Sequence, residues 1–134
     1  YDVTMQDLAA RVNVACAAEA SGRARTKLLK GARKHLKKLD RSAAPWARGL
    51  VALTRAGAAT LDGTEREVRA WLDRAEGELT GADMELHAEV ARARRAQWDG
   101  HAARLAAGRE AIERAGVAEP ARFLDTWAPG RWDS

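Results

Sequence analysis

Turn-forming residues recur along this chain at near-regular steps, and that rhythm restricts its fold more than any other feature. Ser21-Gly22, Asp62-Gly63, Gly81, Asp99-Gly100, Gly116 and Pro129-Gly130 close segments of ordinary helix length. Pro45 and Pro120 suit first helical positions, where a missing N–H is no loss. Between these breaks, apolar residues return at three- and four-residue steps, the period of a helix with one buried face. Nothing alternates with period two over five residues, so no segment reads as a strand.

The stripes can be named. The first helix carries Met5, Leu8, Val12 and Ala15 with Cys16. The second carries Leu28, Ala32, His35 with Leu36, and Leu39. The third carries Trp46, Leu50, Leu53, Gly57 and Leu61, with small residues between them that would let a neighbour approach closely. Thr64 followed by Glu67 is a capping box opening the fourth, whose face is Val68, Trp71, Leu72, Ala75 and Leu79. Asp83 is placed to cap the fifth, with Leu86, Val90, Ala93 and Trp98 on its stripe. Ala102, Leu105, Ala106, Ile112 and Ala115 mark the sixth, and Phe123, Leu124 and Trp127 a short seventh. Residues 131–134 are expected to fray.

Helix starts near Val3, Pro45 and Asp83 repeat at about 40 residues, a period typical of helical solenoids. The expectation is all-α: antiparallel helical hairpins stacked as a short tetratricopeptide-like solenoid, about six helices plus a short C-terminal helix. The hairpins would span about 3–40, 45–80 and 83–116, with an end helix at 120–128, in a single helical-repeat domain covering 1–134. Three hairpins are close to the smallest stack that buries a continuous core. A closed helical bundle is the competing arrangement.

Charge and composition narrow the function. The 134 residues hold 23 Lys and Arg against 19 Asp and Glu, for a net charge of +4. A hydrophobic fraction of 46% is too high for a disordered chain. No apolar run approaches the roughly 18 residues of a membrane span. One cysteine excludes an internal disulfide, and Cys16 reads as a small buried hydrophobe. A lone thiol and the lack of a basic-then-apolar start point to a cytoplasmic location without a signal peptide. The opening Tyr1 suggests a piece of a longer polypeptide.

The basic segment 23–41 stands out. It holds nine basic residues and one acid, Asp40, opposite the stripe of the second helix. Such a face is either solvated or a docking surface for phosphate, anionic lipid or an acidic protein. Arg25, Lys30, Arg33, Lys34, Lys37 and Lys38 are its candidate partner-binding residues. The segment lacks aromatics for base stacking and Asn or Gln for base reading, so nucleic acid is the lesser alternative. Trp132, beyond Pro129 and beside Arg131, is a further candidate as an exposed anchor. Asp83 and His87 lie four apart, half of a metal site with no third ligand, and read as a surface pair. No nucleophile, base and oxyanion set is legible, so neither an enzyme nor a cofactor site is expected.

Residues 64–132 carry a resemblance. Ala75-Glu76, Met84 with Leu86 and Ala88, the Arg92, Arg94 and Arg95 run, Gly100, Gly116-Val117, Pro120-Ala121-Arg122 and Ala128-Pro129-Gly130 form its pattern. It resembles the C-terminal tetratricopeptide-like repeat regions of bacterial multidomain serine/threonine kinase or signalling NTPase proteins. That resemblance implies a repeat region from such a protein or a relative. With the hairpin spacing and the lack of a legible catalytic set, the expected function is a non-catalytic protein–protein interaction module within a larger bacterial signalling or defence protein. Its partner would be another protein or an upstream domain of the same polypeptide. The expected mechanism is passive recognition in a groove lined by the first helix of each hairpin, with the basic helix steering the encounter.

Overall fold

A computed structural model describes residues 3–41 and 44–133. Among them are seven helices and no strand: α1 (Val3–Glu19), α2 (Gly22–Leu39), α3 (Pro45–Asp62), α4 (Glu65–Gly81), α5 (Glu85–Trp98), α6 (Ala102–Arg114) and α7 (Pro120–Trp127). Tyr1 and Ser134 lie outside the described residues.

The turns explain the helix ends. Gly100 and Gly116 take φ of 75° and 103°, which side chains resist. At these ends the next amide reaches back to a spare carbonyl: His101 N donates to Ala96 O at 2.8 Å and Val117 N to Ile112 O at 3.3 Å. Thr64 caps α4, its Oγ1 accepting from Glu67 N at 3.1 Å. The α4–α5 turn departs from expectation. Gly81 stays helical, and the left-handed position falls two residues later on Asp83, at φ 59°. Asp83 therefore turns the chain, and Met84 holds the N-cap position of α5. Asp83→Gly should raise unfolding stability by about 0.5–1 kcal/mol in a denaturant titration, because only glycine adopts this conformation without strain.

Neighbouring helices pair as α1 with α2, α3 with α4 and α5 with α6. The first pair packs on α3, and α4 packs on α5. Buried Leu50, Leu53, Val68, Leu72, Leu79, Val90, Ile112 and Leu124 form the largest core cluster. Val14, Leu29 and Ala32 pack with Ala58, and Leu36 and Leu39 with Val51, joining the first pair to α3. The small residues of α3 allow close approach: a Cβ on Gly49 would lie 2.6 Å from Leu79 Cδ2.

Three stripes differ from the sequence expectation. In α6, Ala102, Ala106 and Ala115 are exposed, and Gly108 is buried with Ile112. In α2 the buried leucine is Leu29, with Leu28 only partly covered. In α1 the phase is off by about half a turn. Ala10, Val14 and Ala17 are buried with Asp7 and Arg11, while Met5, Leu8 and Val12 are 59%, 43% and 49% exposed. The reason is pairing. Arg11 Nε donates to Asp7 Oδ2 at 3.0 Å, so two charges go inward together. Cys16, expected inside, is exposed, and Trp46 is partly so.

After α6 the chain turns back. Helix α7 packs on α5 and α6 and also reaches α1 and α3. Residues 131–133, expected to fray, are fixed by specific contacts described next.

Candidate interaction surface

The expected binding groove, along α1, α3 and α5, is filled by the chain's own C-terminal segment. Arg11 of α1 donates through Nη1 to Thr126 O at 2.8 Å, and its guanidinium lies 4.3 Å from the Trp127 ring centroid. Arg94 of α5 donates through Nε to Ala128 O at 3.1 Å and through Nη2 to Asp125 Oδ1 at 3.0 Å. Arg131 N donates to Thr60 Oγ1 at 2.8 Å, and Arg131 Nη2 to Ala18 O at 3.0 Å. Gly57 makes room: its Cβ, if present, would overlap the carbonyl oxygen of Pro129.

Trp132 is therefore not an exposed anchor. It is 3% exposed, its Nε1 donates to Ala128 O at 2.8 Å, and its ring meets Trp98 edge-on at 6.3 Å. The aromatic ring is large enough to hold a terminal segment that hydropathy alone would leave loose.

His87 sits under the same strap. Its ring lies 4.4 Å from Trp127, edge to face, and 6.0 Å from Phe123. Its buried Nε2 has no hydrogen-bond partner among the described residues. Burial, reinforced by the Arg11 charge, holds its pKa below the ordinary value. Asp7, one turn before Arg11 on α1, is pushed up by burial despite its Arg11 partner. The signs are opposite. Neutral His87 stabilises the fold above its unfolded pKa near 6.5, and that contribution is lost as pH falls below it. Asp7 opposes folding more as pH rises through the carboxylate range. Denaturant midpoints measured between pH 7.5 and pH 5.5 should fall for the natural chain, and fall less for His87→Gln. His87 and the exposed Asp83 are thus no surface pair, and no cluster of three metal-ligating side chains occurs among the described residues.

The basic helix divides into two groups. Arg25 and Arg33 serve the fold. Arg25 Nε donates to Ala17 O and Ala20 O at 3.1 and 3.0 Å, capping the end of α1. Arg33 holds Asp62 through two bonds of 2.6 and 2.7 Å, which raise its own pKa. Lys30 stands on the rim of a shallow pocket with Gly22, Thr26 and Leu61. Lys34, Lys37 and Lys38, with Arg23, Lys27 and Arg41, are exposed and make no ion pair among the described residues.

These free cations stand beside the exposed stripe of α1. His35 Nδ1 donates to Gln6 Oε1 at 2.5 Å, and a Cβ on Gly31 would lie 2.9 Å from Asn13 Nδ2. Those two meetings set the antiparallel register of α1 and α2. On α2 the row 27, 31, 34, 38 runs along the seam, and on α1 the row 5, 9, 12, 16 does so. Met5 is then level with Lys38, and Cys16 with Lys27. By this register and helical geometry, the exposed apolar residues of α1 and the exposed lysines of α2 border the same seam.

A second cleft lies over α4, α5 and α6, lined by Glu76, Glu89, Arg92, Arg95, Asp99 and Arg104. Its charges largely satisfy one another. Arg92 reaches Glu76 at 2.7 Å and Glu89 at 2.5 Å, Arg69 reaches Asp99 at 2.9 Å, and Arg95 bridges Asp73 and Asp99. Desolvation works against the Asp99 carboxylate, yet Arg69 and Arg95 hold its pKa below the ordinary value. The cleft presents little unspent charge to a ligand.

Sequence reasoning missed Arg11, Arg94 and Gly57 as anchors of the strap. Arg94 lies in an arginine-rich run whose other members, Arg92 and Arg95, are half-buried in ion pairs on the other side of the helix, and sequence alone does not tell them apart. Compared with protein-family models, with curated proteins and with solved structures, the chain matches none.

Proposed function

We propose that the chain is a non-catalytic protein–protein interaction module, and that its partner docks on the outer face of α1 and α2 rather than in the groove. The observation that carries this reading is the phase of α1: the helix buries Asp7 and Arg11 and leaves Met5, Leu8 and Val12 to solvent. Large apolar side chains grouped at helical spacing are characteristic of contact surfaces. The resemblance of residues 64–132 supports placing the module within a larger bacterial signalling or defence protein.

The cations of α2 that make no ion pair among the described residues also favour a second reading, binding to nucleic acid or another anionic surface. That reading has no use for the apolar ridge, because phosphate contacts need charge alone. A photo-crosslinking residue at Leu8, in the full chain within the cells that make it, separates the two. A protein crosslink from position 8, and none from position 114 on α6, supports the module. Crosslinks to nucleic acid or lipid only, or none, would refute it.

A further inference from the structure

The junctions between helix pairs inside the chain show what such a face accepts. At the first, Leu36 and Leu39 of α2 pack with Val51 of α3. That strip is edged by opposite charges, Arg33 with Asp62 and Asp40 with Arg55, each closing to 2.6 Å. At the second, Leu72, Leu79 and Val90 form the apolar strip, edged by Glu76 with Arg92 and Asp99 with Arg69. Each junction joins apolar strips and matches acid to base along the rim.

The outer face of α1 and α2 has one half of such a junction. It offers Met5, Leu8 and Val12 as the strip. Along its rim stand Lys27, Lys34 and Lys38, with Lys37 and Arg41 beyond them, all without acidic partners among the described residues. Helix α2 has no acid at all between Gly22 and Leu39. On α1, Asp7 is committed to Arg11, and Glu19 lies at the far end from Met5. The missing half is apolar on one side and acidic on the other.

We infer that the outer face of α1 and α2 docks an acidic amphipathic helix of a partner protein. This rests on the interaction-module reading and specifies its partner. The ridge from Met5 to Cys16 rises about 16 Å along α1, enough for about three turns of a partner helix. Its apolar residues, spaced i, i+3 or i+4 and i+7, would lie over Met5, Leu8 and Val12. Its carboxylates would face the lysine row, speeding the encounter and fixing the orientation.

The test is fluorescence anisotropy with the full chain. The probe is a labelled synthetic helix of about 18 residues, with leucines at that spacing and glutamates on one flank. The comparison probes are a scrambled peptide of the same composition, a DNA duplex, and phosphatidylcholine vesicles containing phosphatidylserine. The patterned helix should bind in the micromolar range. Leu8→Ser alone, and Lys34→Glu with Lys38→Glu, should each weaken it about tenfold or more. All three positions are exposed, so an unchanged circular dichroism spectrum is expected for the variants. Equal binding of the scrambled peptide, indifference to Leu8→Ser, stronger binding to vesicles or duplex, or no binding would each overturn the inference. A protein crosslink at position 8 alongside failure of the peptide would remove the acidic helix and leave the module standing.

Discussion

Trp132→Ala should lower the unfolding free energy by about 3–5 kcal/mol, the range for truncating a buried large aromatic. The indole is 3% exposed, and its loss opens a cavity between Trp98 and the Arg94 guanidinium, which lies 5.3 Å from the ring centroid. It also removes the Nε1 bond to Ala128 O. Trp132→Phe keeps most of the apolar area and should lose markedly less. Urea unfolding followed by far-ultraviolet circular dichroism measures both. A loss under about 1 kcal/mol for the alanine variant would mean that the strap does not hold the fold.

The second large effect concerns Gly57. Alanine normally favours a helix interior by about 1 kcal/mol over glycine. At Gly77 of α4, where an added methyl meets nothing within 4 Å, Gly77→Ala should stabilise by about that amount. At Gly57 the same methyl would collide with the carbonyl of Pro129, whose carbon would be 3.1 Å away. Backbone cannot swing aside as a side chain can. Gly57→Ala should therefore destabilise by about 2–3 kcal/mol, reversing the sign. The displaced strap should free the backbone after Arg131, already exposed, for cleavage by trypsin. Because both variants act on one segment, Gly57→Ala combined with Trp132→Ala should cost less than their sum.

Much of the fold was legible in the sequence, for local reasons. Gly100 and Gly116 end helices because the left-handed turn needs them, and Thr64 caps α4 through a bond three residues long. The helical period gave seven helices, each within a few residues of its observed limits. The phase of α1 was not legible, because hydropathy ranks Met5, Leu8 and Val12 above Asp7 and Arg11. The Asp7–Arg11 pair is local, but its burial depends on Thr126 and Trp127, which meet Arg11 from the far end of the chain. Nor could periodicity reveal the strap. Its anchors, Arg11 to Thr126 and Arg131 to Ala18, lie more than a hundred residues apart in sequence. The basic helix was legible as a charged face. That Arg25 and Arg33 are engaged while Lys34, Lys37 and Lys38 make no ion pair among the described residues depends on where Ala17, Ala20 and Asp62 come to lie.

The strap also bears on how the protein is made. A row of helix pairs that touch only their neighbours can acquire structure pair by pair as it is synthesised. Here α1 receives bonds from Thr126 and Arg131, which are synthesised more than a hundred residues after the groups they meet. The first pair emerges early yet lacks the bond from Arg11 to Thr126 until the strap has been synthesised. Such long-range closure slows folding. A nascent chain stalled before Pro120 should expose its α1 to protease, and one whose Trp132 has left the ribosome should not.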